Sequence, residues 1–230
     1  MSFFHAGPAP KASGPRSGAL RDGLDLSPGM TVGLFGGSFN PAHDGHLHVA
    51  ETALNRLGLD RVVWLVSPQN PLKDSRQTAP LADRMASARE WARSPSMIVS
   101  DVETRMGTAW TVDTLRAIKA RHPGVHFVWL MGSDNLVQFS QWDRWREIAA
   151  RVPIGVLSRP GTRLAARLSK AARVMASSRL PARRAGLLGS SRPPAWVMVD
   201  MPMSNASSSA IRAAKQAASG METGASATAK

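Results

Sequence analysis

Six short apolar runs, separated by stretches of helical periodicity, constrain this chain more than any other feature. Thr31–Phe35, Arg61–Val66, Met97–Val99, Val125–Leu130, Val152–Leu157 and Ala195–Val199 read as strands, several of them apolar at almost every position. A strand wetted on one face alternates apolar and polar residues, whereas one apolar throughout is covered on both faces. Between the runs, apolar residues recur at three- and four-residue spacing. Leu47, Ala50, Leu54 and Leu57 make one stripe, Leu81, Met85, Ala88 and Trp91 a second, and Val112, Leu115 and Ile118 a third. Leu164, Leu168, Ala171 and Met175 follow the same period and predict a further helix. Strands alternating with helices imply right-handed βαβ units, a parallel sheet and the α/β class. A single domain over residues 29–218 is expected, with a disordered leader at 1–28 and a flexible tail at 219–230.

Composition removes several classes of function. The chain of 230 residues is 43% hydrophobic and can build one sizeable core. It has no cysteine, which excludes disulfides, cysteine-ligated zinc and a thiol nucleophile. No run approaches the roughly 18 apolar residues of a membrane span, and the first thirty residues lack the apolar stretch of a secretory signal. A cytoplasmic protein without a membrane partner is expected. The net charge of +13 calls for an anionic partner. Ten of the 29 basic residues lie between Arg151 and Arg192, where no acidic residue occurs. That segment also has no aromatic residue to stack on bases, so a solvated basic face or a mobile insertion is expected there rather than a nucleic-acid surface.

The first strand leads into Gly36-Gly37-Ser38-Phe39-Asn40-Pro41-Ala42-His43-Asp44-Gly45-His46. In open α/β sheets ligands bind at such carboxyl ends of strands. Gly36 and Gly37 leave backbone N–H groups open to close approach by an anion, and a helix beginning near Asp44 adds its positive end. His43 and His46, three residues apart across the helix start, can donate imidazole N–H to phosphate oxygens. The spacing fits neither a dinucleotide-binding glycine pattern nor a P-loop. The histidines could instead cap the helix or ligate zinc, although no third ligand accompanies them.

Gly37 to His46 resembles the G-x-F-x-P-x-H-x-G-H signature of the HxGH nucleotidyltransferase superfamily, which transfers a nucleotidyl group from a nucleoside triphosphate and releases pyrophosphate. Ser207-Ser208-Ser209-Ala210-Ile211-Arg212 is similar to that superfamily's second signature, I-S-S-T-x-I-R, with Ala206 at the first position and Ser209 in place of threonine. A serine cluster before a helical run is also an ordinary N-cap. The resemblance implies a Rossmann-like doubly wound sheet. It also implies an ATP-phosphate site made by Gly36, Gly37, Ser38, Phe39, Ser207, Ser208, Ser209 and Ile211, with His43, His46, Lys73 and Arg212 acting on the transferring phosphate.

Further matches point to one branch. Gly132-Ser133-Asp134-Asn135-Leu136 resembles the G-x-D-N-L motif of bacterial nicotinate-nucleotide adenylyltransferases, and Thr111-Val112-Asp113-Thr114-Leu115 matches another of their segments. The resemblance implies a mononucleotide subsite at Trp110, Thr111, Asp134, Asn135 and Trp142. Trp110 stands where the family usually has tyrosine, and Leu72 replaces a family histidine beside Lys73. From sequence alone Asp134 could equally cap a helix, Lys73 could be a solvated loop residue, and either tryptophan could belong to the core. The implied reaction joins ATP and nicotinate mononucleotide into deamido-NAD and pyrophosphate. Magnesium would be carried on the ATP, since no carboxylate cluster suggests a protein-built metal site. The alternatives are another adenylyl- or cytidylyltransferase of this fold, such as one using pantetheine phosphate, and a nucleic-acid-binding protein using the basic segment. Oligomeric state is not legible.

Overall fold

The computed structural model describes residues 22–68, 78–158, 161–201, 208, 211 and 212. Seven strands form one sheet: β1 (Thr31–Gly37), β2 (Arg61–Val66), β3 (Met97–Ser100), β4 (His126–Gly132), β5 (Ile154–Ser158), β6 (Arg179–Leu180) and β7 (Trp196–Asp200). Their order is β3-β2-β1-β4-β5-β7-β6 and every pairing is parallel. The α-helices among the described residues are α1 (Asp44–Leu57), α2 (Leu81–Trp91), α3 (Val102–Met106), α4 (Thr111–Arg121), α5 (Ser133–Gln138), α6 (Trp145–Arg151), α7 (Arg163–Leu168) and α8 (Lys170–Val174).

The apolar strands are buried on both faces, as their composition requires. Leu34, Val63, Leu65, Trp129, Met131, Ile154 and Val156 pack with Val112, Leu115 and Ile118 of α4 and Ile148 of α6. Their strand neighbours Phe35, Trp64, Val66, Val128, Leu130 and Leu157 pack on the other face with Val49, Ala50, Ala53 and Leu57 of α1 and with Met85 and Ala88 of α2. Alternate residues of a strand point to opposite faces, so two helical layers share one sheet. This is the Rossmann-like doubly wound arrangement. β1 and β4 lie side by side although β2 and β3 come between them in sequence. The chain changes sides there, and the crevice beyond their carboxyl ends is where such sheets hold ligands.

Three expectations change. The single stripe of Leu164, Leu168, Ala171 and Met175 is broken at Ser169. That residue is extended (φ −61°, ψ 155°), and its hydroxyl accepts the Ala172 N–H at 3.2 Å, starting α8 afresh. Leu164 and Leu168 are consequently 68% and 65% exposed, while Ala166, Ala171, Ala172 and Met175 are buried. Residues 151–192 are not a mobile insertion, because they supply β5, β6, α7 and α8. Their arginines at 167, 173, 183 and 184 lie on the exposed surface. The packed body also begins before residue 29: Leu24 is fully buried, and Asp22 Oδ2 lies 2.6 Å from His122 Nε2. The expected tail at 219–230 and residues 1–21 of the expected leader lie outside the described residues. No helix among the described residues is long and apolar enough to cross a membrane.

Candidate active site

A cleft of about 560 Å³ opens at the carboxyl ends of β1 and β4, within the size range of small-molecule sites. One wall comes from Gly36, Gly37, Ser38, Gly45 and His46. Ser208 and Arg212 approach from the far end of the sequence, and Glu103, Trp110, Thr111, Asp134, Asn135 and Trp142 complete it.

β1 runs on through both glycines, so these residues, expected in a turn, are paired with Leu65 and Val66 of β2. Gly36 must also lack a side chain for a packing reason, since a Cβ there would stand 2.6 Å from the Trp129 ring. The chain then turns at Phe39 (φ +45°), a left-handed conformation that non-glycine residues rarely hold without support. Support comes from packing and from an arginine. The Phe39 ring is stacked on Trp64 at 5.1 Å and set edge-on to His46 at 5.0 Å. Arg84, 2% exposed, donates Nη1–H to the Ser38 and Ser67 carbonyls at 2.9 and 2.7 Å, Nη2–H to Pro68 at 2.8 Å and Nε–H to Ala79 at 2.9 Å. One guanidinium thus ties the β1–α1 loop to the chain leaving β2 and to the start of α2. Burial lowers its pKa from the ordinary arginine value. An arginine remains charged nonetheless.

α1 is capped by its own histidines. His43 Nδ1 accepts the Gly45 N–H at 3.1 Å, and His46 Nδ1 accepts the His43 N–H at 3.2 Å. The two rings lie 3.9 Å apart. Each Nδ1 is therefore an acceptor, which leaves each ring hydrogen on Nε2. His43 Nδ1 also lies 3.8 Å from Asp44 Oδ1, but an atom that accepts an N–H carries no proton for an ion pair. The capping and ligand-binding readings of the pair are thus compatible. Of the two, His46 lines the cleft; His43 is buried behind it and does not.

The late serine-arginine segment meets this loop. Ser208 Oγ donates to the Pro41 carbonyl at 2.9 Å, and Arg212 Nη1 donates to the Asn40 carbonyl at 2.6 Å. Across the cleft, Asp134 sits in the first turn of α5. Gly132 is the N-cap residue and no side chain caps the helix, so Asp134 is not a capping group. Its Oδ1 would stand 2.4 Å from a Cβ on residue 132, so a side chain there would push the Asp134 carboxylate aside. Trp110 is 41% exposed and is not a core tryptophan, whereas Trp142 is half-buried, set edge-on to Trp129 at 6.2 Å and to Phe139 at 5.4 Å at the margin of the core, and still lines the cleft.

Of the expected phosphate residues, Gly36, Gly37, Ser38 and Ser208 line the cleft together with His46 and Arg212, as do all five expected mononucleotide residues. Phe39 and Ile211 do not. Phe39 is a core ring beneath His46, and Ile211 is half-buried outside the lining. Lys73, Leu72, Ser207 and Ser209 lie outside the described residues. Two further residues had no role assigned from sequence. Arg84 falls inside the stripe of Leu81, Met85 and Ala88, and an arginine on an apolar face is a legible sign of a buried task. Glu103 lines the cleft from α3, and burial raises its carboxyl pKa to about 7. Nothing local marks it, because its burial comes from packing against α4. Among the described residues no three His, Asp or Glu side chains gather where they could hold a metal.

Residues 34–214 match the Cytidylyltransferase-like family model. A Caulobacter sp. (strain K31) protein described as "Probable nicotinate-nucleotide adenylyltransferase" is 58% identical over 183 residues, covering 80% of this chain and 97% of that one. A protein of the same description from Roseobacter denitrificans is 56% identical over 184 residues, covering 80% and 92%. The fold is similar to that of Plasmodium falciparum nicotinic acid mononucleotide adenylyltransferase complexed with NaAD. There the TM-score is 0.61 at 16% identity, over 80% of this chain and 82% of that one.

Proposed function

The chain belongs to the cytidylyltransferase-like family and, within it, to the nicotinate-nucleotide adenylyltransferases, and we propose that its cleft carries out that reaction with the residues assigned below. An oxygen of the 5′-phosphate of nicotinate mononucleotide attacks the α-phosphorus of ATP. The bond from that phosphorus to the bridging oxygen breaks, pyrophosphate leaves, and deamido-NAD is formed. Both reactants bring their own nucleophile and leaving group, so the protein contributes alignment and charge stabilisation.

The ATP phosphates lie against Gly36, Gly37, Ser38 and Ser208. His46, through Nε2–H, and Arg212, through its guanidinium, donate to oxygens whose charge grows as the phosphorus becomes five-coordinate. His43 is a positioning residue: its Nδ1 caps α1 at the Gly45 N–H while its backbone N–H holds His46 Nδ1. Lys73 adds positive charge toward the triphosphate. On the other wall Trp110 and Trp142 offer faces to the pyridine ring. Thr111, Asn135 and Asp134 offer hydrogen-bonding groups to its carboxylate and to the ribose. A magnesium ion carried on the ATP phosphate oxygens would neutralise their charge. Among the described residues the cleft's carboxylates, Glu103, Asp134 and Asp143, form no cluster, so the metal is assigned to the ATP.

The observation that carries these assignments is the meeting of Ser208 and Arg212 with Asn40 and Pro41, across more than 160 residues of chain, at the loop that presents His46. The test is pyrophosphate release from ATP with nicotinate mononucleotide, nicotinamide mononucleotide and pantetheine phosphate as separate acceptors. The expected result is release with nicotinate mononucleotide above both others. Release with pantetheine phosphate alone would overturn the reading. The finer partner and compartment assignments, ATP with magnesium in the cytoplasm, follow from this same reading.

A further inference from the structure

Glu103 is a buried acid to which the reaction above gives no task. It lies on α3, behind the turn that carries Trp110 and Thr111, and reaches the cleft wall. The hydrogen bonds around it indicate where its proton is. Thr114 Oγ1 has three oxygen neighbours: Thr108 Oγ1 at 2.8 Å, Glu103 Oε1 at 3.1 Å and the Trp110 carbonyl at 3.2 Å. A hydroxyl has one hydrogen and two lone pairs, and a carbonyl only accepts. If Glu103 were a carboxylate it too would only accept, and the single Thr114 hydrogen would have to serve two acceptors. A proton on Glu103 supplies a third hydrogen to a cluster in which the two hydroxyls would otherwise serve these contacts and a longer one, Thr108 Oγ1 to the Glu103 carbonyl at 3.5 Å. The protonated acid and Thr108 then donate to Thr114, and Thr114 donates to the Trp110 carbonyl, so that the 3.5 Å contact alone goes without a hydrogen. The Thr108 N–H then closes the turn on the backbone carbonyl of Glu103 at 3.0 Å. Burial, which raises the carboxyl pKa, favours the same form.

We propose that Glu103 serves the site as a neutral acid, a positioning residue that holds the Trp110–Thr111 turn, through Thr114 and Thr108, in place for nicotinate mononucleotide. The proposal rests on the acceptor assignment above. Neutrality has a second consequence. The acceptor is itself an anion, and an ionised wall beside it would repel it. The other charged groups around Glu103 are largely paired. On α3, Arg105 pairs with Asp101 just before the helix, and on α4 Asp113 pairs with Arg116 and Arg144. β2 carries only Arg61, at its amino end, and across the cleft stand His46, Asp134 and Asp143.

The test compares the full-length wild type with Glu103→Gln, whose amide still donates to Thr114, and Glu103→Leu, which cannot donate. Steady-state kinetics are measured with each substrate varied, and thermal melts are recorded from about pH 5 to about pH 8. The Leu variant is expected to raise KM for nicotinate mononucleotide on the order of tenfold, the scale of one lost hydrogen bond, with KM for ATP within about twofold. The Gln variant should stay near wild type. The wild-type melting midpoint, taken relative to that of the Gln variant, should fall as pH rises. A Gln variant as impaired as the Leu variant, or both KM values rising together, would overturn the positioning role. If the Leu variant does not fold, the Gln variant decides alone: near-normal kinetics support the role and impaired kinetics overturn it. Parallel melting curves for wild type and Gln would overturn the neutral acid. Absence of turnover with nicotinate mononucleotide in the wild type would instead overturn the acceptor assignment, so the two failures are told apart.

Discussion

Replacing Arg84 with methionine keeps a long, unbranched side chain in the same space and removes all four hydrogen bonds that join Ser38, Ser67, Pro68 and Ala79. Hydrogen bonds from a charged donor contribute about 1.5–3 kcal/mol each, so the gross loss is roughly 6–12 kcal/mol. Two effects offset much of it. The variant no longer buries a guanidinium, a desolvation cost of several kcal/mol, and the freed carbonyls near the cleft rim regain some water. A net loss of about 3 kcal/mol is expected, which for a chain of this size lowers the melting midpoint by roughly 6–12 °C. Arg84→Lys keeps the charge but cannot span four separate carbonyls, so an intermediate loss is expected. Urea unfolding with an unchanged m-value measures the stability term. The same variants should raise KM for ATP more than KM for nicotinate mononucleotide, because the loosened loop bears Ser38 and leads to His46. A methionine variant with wild-type midpoint and wild-type ATP kinetics would refute the argument that this guanidinium organises the phosphate wall.

His46→Ala should lower kcat about 10²- to 10³-fold in a protein that still folds, the scale of one oxyanion-directed donor; circular dichroism with single-turnover rates checks both halves. Arg212→Ala should weaken ATP use more than stability, and unchanged ATP kinetics would count against its assignment. Trp110→Ala should raise KM for nicotinate mononucleotide roughly three- to tenfold, from a stacking contribution of about 0.5–1.5 kcal/mol, with little change in melting temperature because the ring is 41% exposed. Trp110→Phe should recover most of that loss. Glu103 sets a pH dependence of stability. Its folded pKa of about 7 lies above the ordinary glutamate value of 4.5, so the folded state binds the proton more tightly. Its contribution is fully present below about pH 4.5 and disappears as pH rises through about 7. The loss is on the order of 3 kcal/mol, read as the difference between wild-type and Glu103→Gln unfolding curves across that range.

Local periodicities and the chemistry of the short motifs were legible along the chain before folding. Strands buried on both faces need apolar residues at nearly every position, and an amphipathic helix needs its stripe, so the order of strands and helices could be read directly. The Gly37–His46 and Ser207–Arg212 stretches pointed to phosphate chemistry through their resemblance to the two superfamily signatures, since each alone reads equally as a helix cap. What the tertiary structure decided was direction and company. His43 and His46 are equivalent in sequence, yet the turn of α1 brings one to the cleft and buries the other as its support. Phe39 became a core ring because Trp64, on a neighbouring strand, offered it a face. Leu164 and Leu168 kept a helical spacing but lost the core when Ser169 restarted the helix. Arg84 and Glu103 took their roles from segments brought near them by the sheet order: three loop ends for the arginine, a threonine on the next helix for the acid. Periodicity is a property of neighbours along the chain, whereas burial, tautomer and protonation depend on groups that only folding brings together.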